Sequence, residues 1–326
     1  MTFPITRMRR LRGTKRIRNL VSETHIHIDQ LVLPLFFDEG ISSERVTDSM
    51  PGVATHPLSD YESLVNRIEE SGLGSVIVFG IPRNKDSVGT EAYAKDGVSQ
   101  KAISGLRENS DLCVIADLCL CEYTNHGNCG ILCEDGGISN DDTLEQYAKC
   151  AVAQAEAGAN IIAPSGMMDG QVAALRTALD DAGFKDVMVM AYSSKFFSSY
   201  YGPFRDVVFS APQRNDRSVH QIPCGNRREA LREIALDIEE GADIVMIKPA
   251  GPYLDVIREA RCSFELPIAA YQVSGEYNMI KAAAERGWIN EDCAVMESIL
   301  GIRRAGADIV ITYYADKIAN MLRGRS

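Results

Sequence analysis

The chain is predicted to be an α/β protein, a (β/α)8 TIM barrel (residues 31–326) preceded by an extended N-terminal arm (residues 1–30). Three observations lead there: eight short apolar runs that read as strands, amphipathic helical stretches between them, and one turn pattern used three times. The length of 326 residues suits one large barrel domain with an extension.

Taken in order, the runs are "LVLPLFF" at 31–37, "SVIVFG" at 75–80, "LCVIADLCL" at 112–120 and "NIIAPS" at 160–165. They continue with "DVMVMAYS" at 186–193, "DIVMIKP" at 243–249, "PIAAYQVS" at 267–274 and "DIVITYY" at 308–314. Each is apolar at both alternating positions, as strands covered on two faces require. The intervening "DDTLEQYAKCAVAQAEAG" is typical of the helices: acidic residues near Asp142 open it and Gly158 closes it. "AGAN-II" at 157, "EGAD-IV" at 240 and "AGAD-IV" at 305 repeat one helix-to-strand solution, a glycine past the helix followed by Asn or Asp. No Gly-rich phosphate fingerprint follows the first strand, so the barrel is preferred to an open doubly wound sheet.

Composition sets the class. Apolar residues make up 45% and charged residues 24%, values of a globular protein with a large core, and no apolar run approaches a membrane span. Nine cysteines without a signal-like N-terminus point to a reducing, cytoplasmic setting rather than a disulfide scaffold. The net charge of −11 argues against nucleic acid as a partner of the whole molecule. Arg7, Arg9, Arg10, Arg12, Lys15, Arg16 and Arg18 nevertheless make the arm basic. Such an arm serves as a nucleic-acid tail, as a targeting segment or, the preferred reading, as a strap on an acidic neighbouring subunit.

In barrels of this kind the chemistry sits at the C-terminal strand ends. There the third run offers Asp117, Cys119 and Cys121, the fifth Ser193 and Lys195, the sixth Lys248, the seventh Ser274 and the eighth Tyr313. Lys248, between an apolar strand and Pro249, is placed where desolvation lowers its pKa and frees a nucleophilic amine. A nearby Lys195 would lower it further. A structural salt bridge is the plain alternative for one such lysine and a poorer account of two. Cys119, Cys121 and Cys129 stand at C-x-C-x7-C spacing, which suits a metal site with one open position, buried thiols or redox chemistry.

Beyond these residues, "PRNKDSVGTEAY", "DLCLCEYTNHGNCG", "APSGMMDG", "FFSSYYGPFRD", "GNRREALRE", "MIKPAGPYLD", "AYQVSGEYNMIKAAAERGW" and "RRAGADIVITYY" carry a resemblance, nearly end to end, to the porphobilinogen synthase (5-aminolevulinate dehydratase) family in its zinc-dependent, cysteine-triad form. The resemblance implies a lyase that joins two 5-aminolevulinate molecules into porphobilinogen with loss of two waters. It makes Lys248 and Lys195 the two Schiff-base lysines, with Ser274 and Tyr313 on the carboxylate of the substrate bound to Lys248. Arg205, Arg217 and Gln221 would hold the other carboxylate from a lid over roughly 197–222. Asp117 and Ser165 are candidates for proton transfer or imine orientation. Cys119, Cys121 and Cys129 become zinc ligands, the zinc acting as Lewis acid or hydroxide carrier. The resemblance further implies a homo-octamer in which the arm wraps a neighbouring barrel, and a stimulatory magnesium at Glu233.

The chain departs from the family pattern at Asn128, where relatives commonly carry a histidine, at Val219, where some carry a lid cysteine, and at His220 and Cys224. A class I aldolase shares a barrel lysine but leaves the second lysine and the thiols unexplained. An inactive zinc-binding or chaperone-like scaffold leaves the whole set of polar strand ends unexplained.

Overall fold

The structure is a computed structural model that describes residues 2–211 and 217–324. Eight parallel strands follow the eight apolar runs: β1 Leu31–Asp38, β2 Ser75–Ile81, β3 Cys113–Leu118, β4 Ile161–Pro164, β5 Met188–Lys195, β6 Ile244–Lys248, β7 Ile268–Gln272 and β8 Ile309–Thr312. Neighbours in sequence are neighbours in the sheet, and β8 returns to β1 through Leu31↔Val310 and Val32↔Ile311, which closes the barrel. Nearly every strand residue is buried, as runs apolar on both faces require.

The helices are α1 Lys15–Leu20 in the arm, α2 Tyr61–Ser71, α3 Val98–Asn109, α4 Asn140–Glu156, α5 Gln171–Asp181, α6 Gly202–Val207, α7 Arg227–Glu239, α8 Leu254–Ser263, α9 Ser274–Glu285, α10 Glu291–Ala305 and α11 Ala315–Arg323. All but α1, α6 and α9 alternate with the strands around the barrel, α9 and α10 both lying between β7 and β8. The short α6 packs on α9 and, through Phe204, over the strand ends.

The thrice-used turn has a common physical basis. Gly158, Gly241 and Gly306 take φ of +99°, +103° and +130°, a backbone region that side chains other than glycine rarely enter. The polar residue two positions later then ties the new strand to the preceding one. Asn160 Oδ1 accepts from Val114 N at 2.9 Å, Asp243 Oδ2 from Val189 N at 2.8 Å and Asp308 Oδ2 from Ile268 N at 2.9 Å. Their own amides donate to the carbonyls of the same three residues.

Between β5 and β6 the register changes. Ile244 and Val245 pair with Met190 and Ala191, whereas Ile247 and Lys248 pair with Ser194 and Lys195, so β5 carries one extra residue. Such a bulge reverses side-chain parity beyond it. Ser194 faces outward and donates to Ala230 O of α7 at 2.9 Å, while Lys195 comes into line with Lys248.

The arm keeps off its own barrel except near its end, where Ile26 and Ile28 pack on the core. Neither the turn Met8–Arg12 nor α1 has a buried residue, and Phe3, Ile5, Met8, Leu11 and Leu20 are exposed.

Candidate active site

The strand ends place two lysines in one closed mouth. Lys195 and Lys248 are 5% and 6% exposed. Lys195 Nζ donates to the carbonyl of Ser165, at the end of β4. Lys248 Nζ sits in an aromatic cage, 4.1 Å from the ring centre of Tyr271, 4.9 Å from Tyr192, 5.6 Å from Tyr201 and 5.5 Å from Phe204. Burial, and then repulsion from Lys195, bring the Lys248 ammonium down to about 7. Part of Lys248 is therefore a free amine near neutral pH.

Asp117, on β3, lies close to both ammonium groups. Its carboxyl is pushed up to about 7 by burial and by Glu122, against the pull of Lys248 and Lys195. The Ser165 hydroxyl donates to Asp117 Oδ2 at 3.2 Å, and Gln154 holds the Asp117 carbonyl at 2.9 Å. A carboxyl balanced in this way can take up and return a proton.

The three cysteines converge beside this pair. Cys119, Cys121 and Cys129 are buried, and their sulfurs lie within 4.8 Å of one another, with Cys119 and Cys121 at 3.3 Å. Thiol hydrogen bonds from Cys119 and Cys121 hold Cys129 well below the ordinary thiol range, while burial pushes Cys119 up. Three buried sulfurs this close together are a donor set that a divalent metal such as zinc fits. Tyr147 of α4 supports the loop by donating to Cys129 O at 2.8 Å. Its hydroxyl also occupies the place a side chain at Gly166 would need, only 1.8 Å from that Cβ position.

The lid residues complete the mouth. Arg217 is buried, and its Nη2 donates to Gly127 O at 3.0 Å and Ser210 O at 2.8 Å. Burial alone would lower its pKa, but the charge carried by the cysteine cluster raises it. Among the described residues, Arg205 Nε and Nη2, Arg217 Nε and both amide atoms of Gln221 are buried without a hydrogen-bond partner. Unmatched donors of this kind suit a planar carboxylate. The part of the lid at 212–216 lies outside the described residues.

Ser274, the first residue of α9, accepts from Phe204 N at 3.1 Å and donates to Tyr200 O at 3.2 Å, so its hydroxyl ties the lid to the barrel. The Tyr313 hydroxyl pairs with that of Tyr271 at 3.1 Å. Glu233 stands apart on α7, half-buried in a groove of about 430 Å³ shared with Asn140, Asp169, His220 and Glu229. Burial first, then Asp169, Glu229 and Glu240, raise its pKa.

The sequence reading missed Glu122 and the aromatic cage. Glu122 is buried, receives the Cys121 thiol at 3.2 Å, and is pushed up to about 8 by burial and by Cys121. Its position directly after Cys121 was the available signal. Among the described residues, no helix is long and apolar enough to cross a membrane.

Comparison with known proteins gives the family. A family model described as delta-aminolevulinic acid dehydratase matches residues 5–321. The delta-aminolevulinic acid dehydratase of Methanothermus sociabilis is 49% identical, covering 98% of this chain and 99% of its own. That of Bacillus subtilis is 47% identical, covering 99% of each. The crystal structure of the Toxoplasma gondii delta-aminolevulinic acid dehydratase (porphobilinogen synthase), in complex with the reaction product porphobilinogen, superposes with a TM-score of 0.94 at 40% identity. It is matched over 97% of this chain and 91% of its own. Matched end to end in sequence and in fold, the chain belongs to the delta-aminolevulinic acid dehydratase family.

Proposed function

We propose that the chain condenses two molecules of 5-aminolevulinate into porphobilinogen with loss of two waters, a hydro-lyase step of tetrapyrrole and heme biosynthesis. The observation that carries this reading is the register pairing of Lys195 with Lys248 inside one closed mouth, beside three buried thiols.

The Lys248 amine attacks the ketone of one substrate. Loss of water leaves an iminium, which acidifies the adjacent carbon for bond formation. Lys195 takes the ketone of the second substrate in the same way. Asp117, with Ser165 donating to it, accepts and returns protons at the carbons and oxygens beside the two lysines. Tyr192, Tyr201, Tyr271 and Phe204 keep bulk water from the imines.

Carboxylate capture is divided between two faces. Arg205, Arg217 and Gln221 take the second substrate's carboxylate, a role supported by their unmatched buried donors. Ser274 and Tyr313 take that of the substrate on Lys248. The Ser274 hydroxyl meanwhile bridges to the lid, so carboxylate binding and lid position share one group.

Cys119, Cys121 and Cys129 are assigned as zinc ligands, and the dense thiol donor set supports that metal. When bound, zinc supplies Lewis acidity or a hydroxide base toward the second substrate. Glu233, with Asp169 nearby, is assigned a stimulatory magnesium. The exposed apolar residues of the basic arm support its docking on a neighbouring acidic barrel in a homo-octamer. The partner is a small-molecule substrate rather than nucleic acid or membrane, and the setting is cytoplasmic.

The test is a pyrrole colour reaction after incubation with 5-aminolevulinate. Colour that depends on both enzyme and substrate supports the reading, and its absence from folded, zinc-supplied protein rejects it.

A further inference from the structure

The C-terminal end of the lid helix α6 is held by two cations. Lys85, from the loop after β2, donates through Nζ to Val208 O at 3.3 Å and to Phe209 O at 3.0 Å. Arg217 donates to the next carbonyl, Ser210 O, at 2.8 Å. Three consecutive carbonyls, at the cap of the helix and just past it, thus meet positive charge. Phe209 carries a φ of +51°, where the chain turns out of the helix, so the contact falls at the point that sets where α6 stops.

Lys85 is itself mounted on a braced loop. Asp86 Oδ1 accepts the amides of Val88, Gly89 and Thr90 at 3.0, 2.6 and 3.1 Å. Asp86 O accepts Asn125 N of the cysteine loop at 2.8 Å, and Asp86 bridges to Thr124. The opposite side of the junction is as close: a side chain at Gly127 would stand 2.7 Å from Ala211 O, and Gly127 O receives Arg217. The loop after β2, the cysteine loop and the end of the lid therefore meet at one place. Because α6 carries Arg205, whatever fixes its C-terminus also fixes where that guanidinium points.

We propose that Lys85 is a positioning residue for the second substrate, pinning the lid helix so that Arg205 meets the substrate carboxylate. The role of Arg205 rests on the function proposed above, whereas the pinning of α6 does not. Lys85 hydrogen-bonds the carbonyls at the end of α6 and also feels the charges of Glu122, Cys121 and Asp38, and the role proposed for it is exercised through α6.

The test compares Lys85→Met, which keeps the aliphatic stem but donates nothing, with Lys85→Arg, which restores a cationic donor. Hydrogen exchange of the substrate-free protein is read over 197–211, with Glu291–Ala305 as the internal reference. The expected result is faster exchange confined to 197–211 in Lys85→Met, with about a tenfold rise in KM for 5-aminolevulinate and a less than about twofold fall in kcat. Lys85→Arg returns both readouts toward the parent. Unchanged exchange over 197–211 overturns the clamp, and faster exchange with an unchanged KM overturns the positioning role. If the parent protein makes no porphobilinogen, the function proposed above fails while the exchange comparison still decides the clamp.

Discussion

Lys248 on β6 and Lys195 on β5 are register partners, and they are so because β5 holds one residue more than its neighbour between Ala191 and Ser194. Without that residue Ser194 would stand opposite Lys248 and Lys195 would point toward the helices. With it, two ammonium groups share one buried mouth, and the Lys195 charge makes Lys248 easier to deprotonate.

The first consequence is a pH profile. With Lys248 brought down to about 7, the neutral amine gains population as pH rises through that value. Imine formation should climb up to about pH 7 and level off above it, rather than continuing to about pH 10 as for an ordinary lysine. Replacing Lys195 by Met removes the repelling charge and so raises the Lys248 pKa. The midpoint of imine formation with a keto acid, followed by mass spectrometry after reduction, should move to higher pH. A midpoint that stays in place would show that Lys195 has no electrostatic hold on Lys248.

Metal removal should inactivate without unfolding. The barrel has its own closed core and needs no metal to form. Chelation is expected to abolish turnover, zinc to restore it, and far-ultraviolet circular dichroism to stay the same throughout. Loss of the helical signal on chelation would mean that the cysteine cluster holds the fold together.

One zinc per chain is expected. His126 accepts Asn128 N at Nδ1, 3.1 Å away, and reaches Ser87 O through Nε2 at 3.2 Å, so its ring is committed away from the thiols. Asn128 offers a weak amide oxygen, and Val219 is exposed and offers no donor. Elemental analysis of desalted protein should give about one zinc per chain. A ratio near two, falling in His126→Ala, would reveal a second site.

Arg217→Lys should weaken use of the second substrate. The guanidinium spends Nη2 on Gly127 and Ser210 and keeps Nε for a ligand, a division that a single ammonium cannot reproduce. KM should rise about tenfold or more with Lys248 labelling intact. An unchanged dependence of rate on substrate concentration would remove Arg217 from the substrate site.

Much of this was legible in the residues. The eight strands could be read because a strand covered on both faces must be apolar at every position, and the repeated Gly-x-Asn/Asp turn because only glycine suits that φ. The lysines and cysteines stood out as polar groups at the ends of apolar runs. The bulge in β5 could not be read: "VMVMAYSSK" is equally good with or without it, and only pairing with β6 fixes the parity of Lys195. Glu122 could not be singled out, because only the folded loop buries its carboxyl against the Cys121 thiol. The Lys248 cage gathers Tyr192, Tyr201, Phe204 and Tyr271 from β5, the lid and β7, a convergence that only closure of the barrel creates.

The central claim is that Lys248 carries the substrate as an imine. Borohydride reduction in the presence of 5-aminolevulinate, followed by peptide mass mapping, tests it most directly. The account predicts substrate-derived mass on the peptide containing Lys248, its loss in both Lys248→Ala and Lys248→Arg, and turnover lower by at least about four orders of magnitude in each variant. Label found only on other peptides, or turnover retained in Lys248→Arg, would contradict it.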